Sequence, residues 1–263
     1  MGIISDVHTL FRYGVVPPGW WRPEAVDFTR KFYEYMWNCW SHFVENCPDL
    51  EVLVINGDLL HGEDRIDRAI NVISADMFEQ AAAAVEVLKP IREKCDRLWL
   101  LKGTPYHDSK SHEGLEYVAK EIGAEQWSDQ RSVGYSLPGQ WRNLRFDFAH
   151  HQTSGWLYTA GGADRTIMLH LAAVAQNKIP PADVIVRSHL HTRRVVESRG
   201  VWAIQTPGWT CVYPWLEKVS ERSRSHDKND VGAIILETDG NRKVFIDTET
   251  FNYQAHQQTV RDL

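Results

Sequence analysis

The residues in this chain best suited to chemistry are carboxylates and imidazoles that close short apolar runs. Val184-Ile185-Val186-Arg187-Ser188-His189-Leu190-His191 ends in two histidines one residue apart. Alternate side chains of an extended segment point the same way, so both rings can face one spot beyond the strand's end. Three further runs are built alike. Ile3-Ile4-Ser5-Asp6-Val7-His8 closes in Asp-x-His, Leu53-Val54-Ile55-Asn56-Gly57-Asp58 in Gly-Asp, and Leu144-Arg145-Phe146-Asp147-Phe148-Ala149-His150-His151 in paired histidines. Carboxylate oxygen and imidazole nitrogen are the donors that intermediate divalent metals favour.

Asp6, His8, Asp58, His150, His189 and His191 are too many for one ion, since a tetrahedral catalytic site uses three protein ligands and keeps a position open. Six suffice for two ions roughly 3.5–4 Å apart with one carboxylate between them, an arrangement that clamps the attacking and leaving oxygens of a phosphoryl centre. A lone Asp-x-His or His-x-His is an ordinary surface or capping feature. Four such endings on successive apolar runs point to a metal site. No Gly-rich phosphate loop is present, and there is no Gly-x-Ser-x-Gly elbow to carry a serine nucleophile.

In order and spread, these blocks resemble the calcineurin-like metallophosphoesterases. The family's blocks are Asp-x-His, Gly-Asp-x-x-(Asp/His)-x-Gly, Gly-Asn-His-(Asp/Glu), a lone His and Gly-His-x-His. Here they read Asp6-Val7-His8, Gly57-Asp58-Leu59-Leu60-His61-Gly62, Gly103-Thr104-Pro105-Tyr106-His107-Asp108, His150 or His151, and Ser188-His189-Leu190-His191. Within the family the Gly-Thr-x-x-His block, and an aromatic, proline-bearing segment soon after the first block, are most similar to members found in phage and prophage genomes. The resemblance implies a four-layer αββα sandwich of two mixed sheets flanked by helices, spanning residues 1–263 as one domain. It implies two divalent ions, manganese first, with iron, zinc, nickel, cobalt or magnesium as alternatives. Asp6, His8 and His191 would hold the first, His150 and His189 the second, and Asp58 would bridge. Thr104 stands where the family has a ligating Asn, so Thr104, another group or a water would take that place. His107 corresponds to the family's leaving-group acid, or is itself a ligand. The implied activity is hydrolysis of P–O bonds by a metal-activated hydroxide, with a phosphodiesterase or nuclease ahead of a phosphomonoesterase, a phosphoprotein phosphatase or a noncatalytic scaffold.

The rest of the chain is consistent with a compact enzyme. Of 263 residues, 29 Lys and Arg stand against 35 Asp and Glu, a net charge of −6 that argues against broad nonspecific nucleic-acid binding. The partner expected is a phosphate ester, nucleotide or nucleic acid included. No signal peptide or membrane span is apparent, and Cys39, Cys47, Cys95 and Cys211 read as buried thiols of a cytoplasmic protein. Arg193 and Trp209 are candidate substrate contacts, and Trp20, Trp21 and Trp156 candidate stacking rings in loops. His61 could orient a group behind the site. Arg222 and Arg224, in a polar segment 220–229, read as solvated, and His42, His112, His170, His226 and His256 as structural or surface residues.

The spacing predicts helices over 27–46, 74–95 (kinked at Pro90), 111–122 (opening on Ser111-x-Glu113) and 162–177. Strands are expected at 52–56, 98–102, 132–137, 144–149, 184–188, 194–196, 202–205, 232–237 and 243–247. Only Met1 to Ser5 precede Asp6, so fraying is expected at the first strand.

Overall fold

The computed structural model describes residues 1–24, 27–63, 71–108, 113–127, 131–151, 159–211, 230–239 and 244–251. Trp156, Trp215, Arg222, Arg224, His112, His226, His256 and the segment 220–229 lie outside them.

Two mixed sheets pack face to face. The first has the order β11 (Val244–Phe251), β10 (Val231–Thr238), β1 (Gly2–Ile4), β2 (Leu50–Asn56), β3 (Cys95–Leu101), β4 (Val133–Gly134). The second runs β5 (Ser136–Trp141), β6 (Leu144–Ala149), β7 (Val184–Arg187), β9 (Val201–Gln205), β8 (Arg194–Ser198). Strands β1, β2, β3 and β4 run parallel to one another, as do β6, β7 and β9, while β10, β11, β5 and β8 pair antiparallel.

The two-residue period of each strand sorts its side chains between layers. In β2, Val52 and Val54 face the second sheet, meeting Phe146, Phe148, Val184 and Val186 between the sheets. Leu53 and Ile55 point the other way, into a core with Phe32, Met36, Trp40 and Phe43 of α1 (Asp27–Asn46), Ala84 and Leu88 of α2 (Met77–Arg92), and Leu115 and Val118 of α3 (Glu113–Ile122). On the far face of the second sheet, Ile185 and Ala203 pack on Ala163 and Ile167 of α4 (Thr159–Ala175). The layers are therefore α, β, β, α, as the motifs implied. Strands covered on both faces need apolar side chains on both, which is why Val52–Ile55 of β2 and Val184–Val186 of β7 read as unbroken apolar runs.

Three expectations are corrected. The first strand does not fray: β1 lies between β10 and β2, its residues fully buried, with Gly2–Ile4 paired parallel to Leu53–Ile55 and Gly2 and Ile3 antiparallel to Ile235 and Ile234. The helix expected from 74 begins at Met77, because Asp76 caps it, accepting from the Phe78 and Glu79 N–H groups at 2.8 and 3.0 Å. Pro90 lies in that helix's last turn, near its end at Arg92. The single strand expected over 132–137 is two, β4 on the first sheet and β5 on the second. A continuous run of strand-type residues carries no sign of a change of partner. All four cysteines are buried thiols outside any disulfide, and no helix among the described residues is long and apolar enough to cross a membrane.

Candidate metal centre

The carboxyl ends of β1, β2 and β3 meet those of β6 and β7, where α/β folds place their sites. A polar seam holds the two sheets in register there. Asn56, closing β2, donates to the Ala149 carbonyl at 3.1 Å and to Ser188 Oγ at 2.6 Å across the sheets. Thr206 donates to Ser188 Oγ at 2.8 Å and lies 2.7 Å from Ser5 Oγ.

The chain leaves these strands sharply. Asp6 (φ 53°), His8 (46°), Asp58 (48°), His189 (73°) and His191 (50°) all take left-handed backbone. Asp and His tolerate this region better than most residues, yet each instance costs of order 1–3 kcal/mol and persists only where the surroundings enforce it. Gly57 (φ +87°) makes the close approach possible, since a Cβ there would lie 2.5 Å from His150 Nδ1.

Two groups of side chains result, Asp6 with His8 and His191, and Asp58 with His150 and His189. In the first, Asp6 Oδ1 is 3.0 Å from His191 Nε2 and 3.9 Å from His8 Nε2. In the second, Asp58 Oδ2 is 2.9 Å from His150 Nε2 and 3.9 Å from His189 Nδ1. His150 Nε2 is also 3.6 Å from Asp6 Oδ1, so the groups adjoin. All six residues named from the sequence are brought together. His150, 1% exposed, belongs to the group, whereas His151 is exposed, its ring 5.1 Å from that of His189.

Charge within the cluster is mutually set. Burial opposes ionisation of Asp58, but the facing His150 and His107 rings hold its carboxyl well below the usual range. At Asp6 burial is likewise outweighed, by His191 and His150. His150 is pushed up to about 10: burial lowers it, and the Asp58 and Asp6 carboxylates more than reverse that. Burial, then the neighbouring His107 and His61, drive His8 well below the ordinary imidazole value.

A divalent cation suits these donors. Asp6 Oδ1, His8 Nε2, Asp58 Oδ2 and His150 Nε2 are buried without a hydrogen-bond partner; the 2.9 Å approach of His150 to Asp58 is off hydrogen-bond geometry. An orphaned buried polar atom costs about 1–3 kcal/mol, so four in one cluster call for a ligand. Donors about 2.0–2.2 Å from a tetrahedral ion lie roughly 3.3–3.6 Å apart, within the 2.9–3.9 Å spread seen in both groups. The His150 ring is pre-oriented: its Nδ1 lies 2.7 Å from the Asn56 carbonyl, which accepts its N–H, so Nε2 is the nitrogen that would give up its proton to a cation.

Thr104 lies beside Asp58, which accepts from its backbone N–H at 2.6 Å and its hydroxyl at 3.0 Å, both at Oδ1. The hydroxyl oxygen in turn accepts from the His107 N–H at 3.2 Å. His107 is half-buried, its ring 4.5 Å from that of His8, and its Nδ1–H donates to the His61 carbonyl at 2.8 Å. Arg193 is half-buried, and its backbone N–H donates to the Asp230 carboxylate at 2.7 Å. Trp209 is corrected: fully buried edge-on against Trp40 and beside Phe43, it offers a substrate no face. Trp20 and Trp21 are also packed, hydrogen-bonded to Glu86 and to the Val16 carbonyl.

Sequence reasoning passed over Asp108, although its motif was in view. The buried Asp108 carboxylate accepts from the backbone N–H groups of Asp58 (2.9 Å), Leu60 (3.0 Å) and Gly103 (2.6 Å), lashing the β2 and β3 loops together. Burial and the Asp58 charge raise its pKa to about 7 against those donors. Asn56, Ser188 and Thr206 were missed as well, and single polar residues at strand ends carry no spacing signal.

Comparison of the sequence with models of known families gives no match, nor does comparison with curated proteins. Among solved structures the chain is similar to an archaeal phosphodiesterase (12% identity, 94% of this chain and 98% of that one, TM-score 0.46). It is also similar to zinc-complexed Vps29 of Entamoeba histolytica (13%, 95% and 98%, TM-score 0.45). A Streptococcus pneumoniae protein described as a predicted phosphoesterase is a third (9%, 95% and 96%, TM-score 0.38). At these identities and scores the likeness says nothing of activity.

Proposed function

We propose that this chain is a phosphoesterase dependent on two divalent metal ions, acting on phosphodiesters, with nucleic acid or a nucleotide as its substrate class. The observation that carries the reading is the pair of adjoining carboxylate–histidine groups whose inward atoms lack partners. Asp6, His8 and His191 would hold one cation and Asp58, His150 and His189 the other. Bound there, divalent ions such as Mn²⁺ supply Lewis acidity toward a phosphoryl oxygen and make water nucleophilic near neutral pH.

The chain's own residues supply the rest. Thr104 and the Asp108-braced loop hold Asp58 with Oδ1 occupied and Oδ2 free to face inward. His107, with Nδ1–H committed to the His61 carbonyl, has Nε2 to carry a proton to the leaving oxygen, a task suited to imidazole. Arg193 is the candidate cation for a non-bridging phosphate oxygen. The preference for diesters rests on the motif resemblance to phage-type members of the family. Side-by-side rates on bis(4-nitrophenyl) phosphate and 4-nitrophenyl phosphate with Mn²⁺ test it. Faster diester cleavage, lost in Asp58→Asn, supports the proposal; faster monoester cleavage refutes the diester assignment, and cation binding without turnover of either refutes the enzyme.

A further inference from the structure

Behind the first group lies a third cluster of imidazoles, His8, His61 and His107, of which His61 has no part in holding a cation in the scheme above. His61 is 5% exposed, and its Nδ1 is 3.1 Å from His8 Nδ1. Its position is enforced twice. The ring stacks face to face on Phe11 with centroids 3.8 Å apart and planes within 8°, and the buried Gln80 accepts from the His61 and Gly62 backbone N–H groups at 2.9 Å each.

Two Nδ1 atoms at this separation share one proton, because two facing N–H groups would collide and two facing lone pairs would leave both buried and unsatisfied. Which ring owns the proton decides what His8 can do. On the reading that His8 holds a cation through Nε2, the atom facing Asp6 Oδ1 at 3.9 Å, that nitrogen must keep its lone pair. The proton then belongs on His8 Nδ1, with His61 Nδ1 as acceptor. Were His61 the donor, His8 would carry its proton on Nε2 and could not ligate.

We propose that His61 is a positioning residue that selects the Nδ1–H tautomer of His8 and so readies it for a cation, as a carboxylate or carbonyl behind a ligating histidine does elsewhere. An imidazole partner differs from those acceptors in being neutral. It fixes the tautomer without adding negative charge behind the site.

His61→Asn and His61→Gln separate this role from mere packing. Asn places an amide where His61 Nδ1 lies, and Gln places it near Nε2. The two readouts are the ring ¹H–¹⁵N correlation spectrum of metal-free protein, which assigns the His8 tautomer, and Zn²⁺ affinity by chelator competition. Wild type and His61→Asn should show His8 protonated at Nδ1, with Zn²⁺ affinities alike. In His61→Gln that signature should be lost and the weaker Zn²⁺ affinity should fall about 10–100-fold. A His8 proton on Nε2 in metal-free wild type overturns the proposal, as does a His61→Gln affinity equal to wild type. So does a third Zn²⁺ equivalent that disappears in His61→Asn, which would make His61 a ligand. If wild type binds no Zn²⁺ the metal-centre reading fails, and the metal-free spectrum still decides the tautomer.

Discussion

Gly103 is where a single methyl group should undo the centre. A Cβ on Gly103 would stand 2.2 Å from both the backbone nitrogen and the Oδ1 of Asp58, and 2.8 Å from its Cγ. Ordinary contact begins at 3.4 Å, so one side must retreat by 3.4 − 2.2 = 1.2 Å. Neither side is free to do so. The Asp58 nitrogen is bonded to Asp108, which also accepts from Gly103, and Asp58 Oδ1 is bonded twice to Thr104. Overpacking a filled interior costs about 1–3 kcal/mol, and facing backbone puts Gly103→Ala at the upper end. In a domain of this size about 3 kcal/mol lowers Tm by roughly 6–12 °C. A displacement near 1 Å at a reacting centre costs about 100-fold in rate. Calorimetry, Zn²⁺ competition and Mn²⁺-dependent diester hydrolysis on Gly103→Ala give all three, with Gly19→Ala as control, where the nearest atom to an added Cβ is 3.9 Å away. Wild-type melting and cation affinity in Gly103→Ala would show that the β2 and β3 loops are not held as described.

Further outcomes follow from the same contacts. His191→Ala removes the nitrogen 3.0 Å from Asp6 Oδ1 and should leave one tightly bound cation per chain, measured by equilibrium dialysis and elemental analysis. Trp209→Ala should lower stability by about 3–5 kcal/mol in urea melts while leaving cation stoichiometry unchanged, since the ring is core and not a substrate platform. Thr104→Val, which removes the hydroxyl bond to Asp58, should weaken cation binding with little change in Tm, read by chelator competition. The Arg142 and Trp141 side chains hold the Glu51 carboxyl down at about 2, from an ordinary 4.5. A depressed carboxyl stabilises above its unfolded value and loses that contribution as pH falls toward the folded one. Glu51→Gln should therefore melt slightly below wild type at pH 7, by at most about 1 kcal/mol for so exposed a pair, and the gap should close between pH 4.5 and about 2.

The sequence announced the layers and the six inward-facing carboxylates and imidazoles for a common reason. Strands buried on both faces must be apolar throughout, so the first polar residues after each run mark where the strand emerges, and emergence is where a site can form. β6 and α1 fell at their expected bounds because alternation and three- and four-residue spacing were unbroken there. The change of sheet at Tyr135 was hidden, since pairing partners leave no local mark. Trp209 misled because a loop tryptophan looks available until Trp40 and Phe43 of α1 close over it, a contact between distant segments. The seam of Asn56, Ser188 and Thr206 was equally silent, each residue being unremarkable until the two sheets meet.

The most direct test is an anomalous difference map from crystals grown with Zn²⁺ or Mn²⁺. Two peaks are expected, one among Asp6, His8 and His191 and one among Asp58, His150 and His189, with the Asp58 carboxylate between them and both lost in Asp58→Asn. A map without peaks at these residues, or a lone peak among His8, His61 and His107, would contradict the two-cation centre.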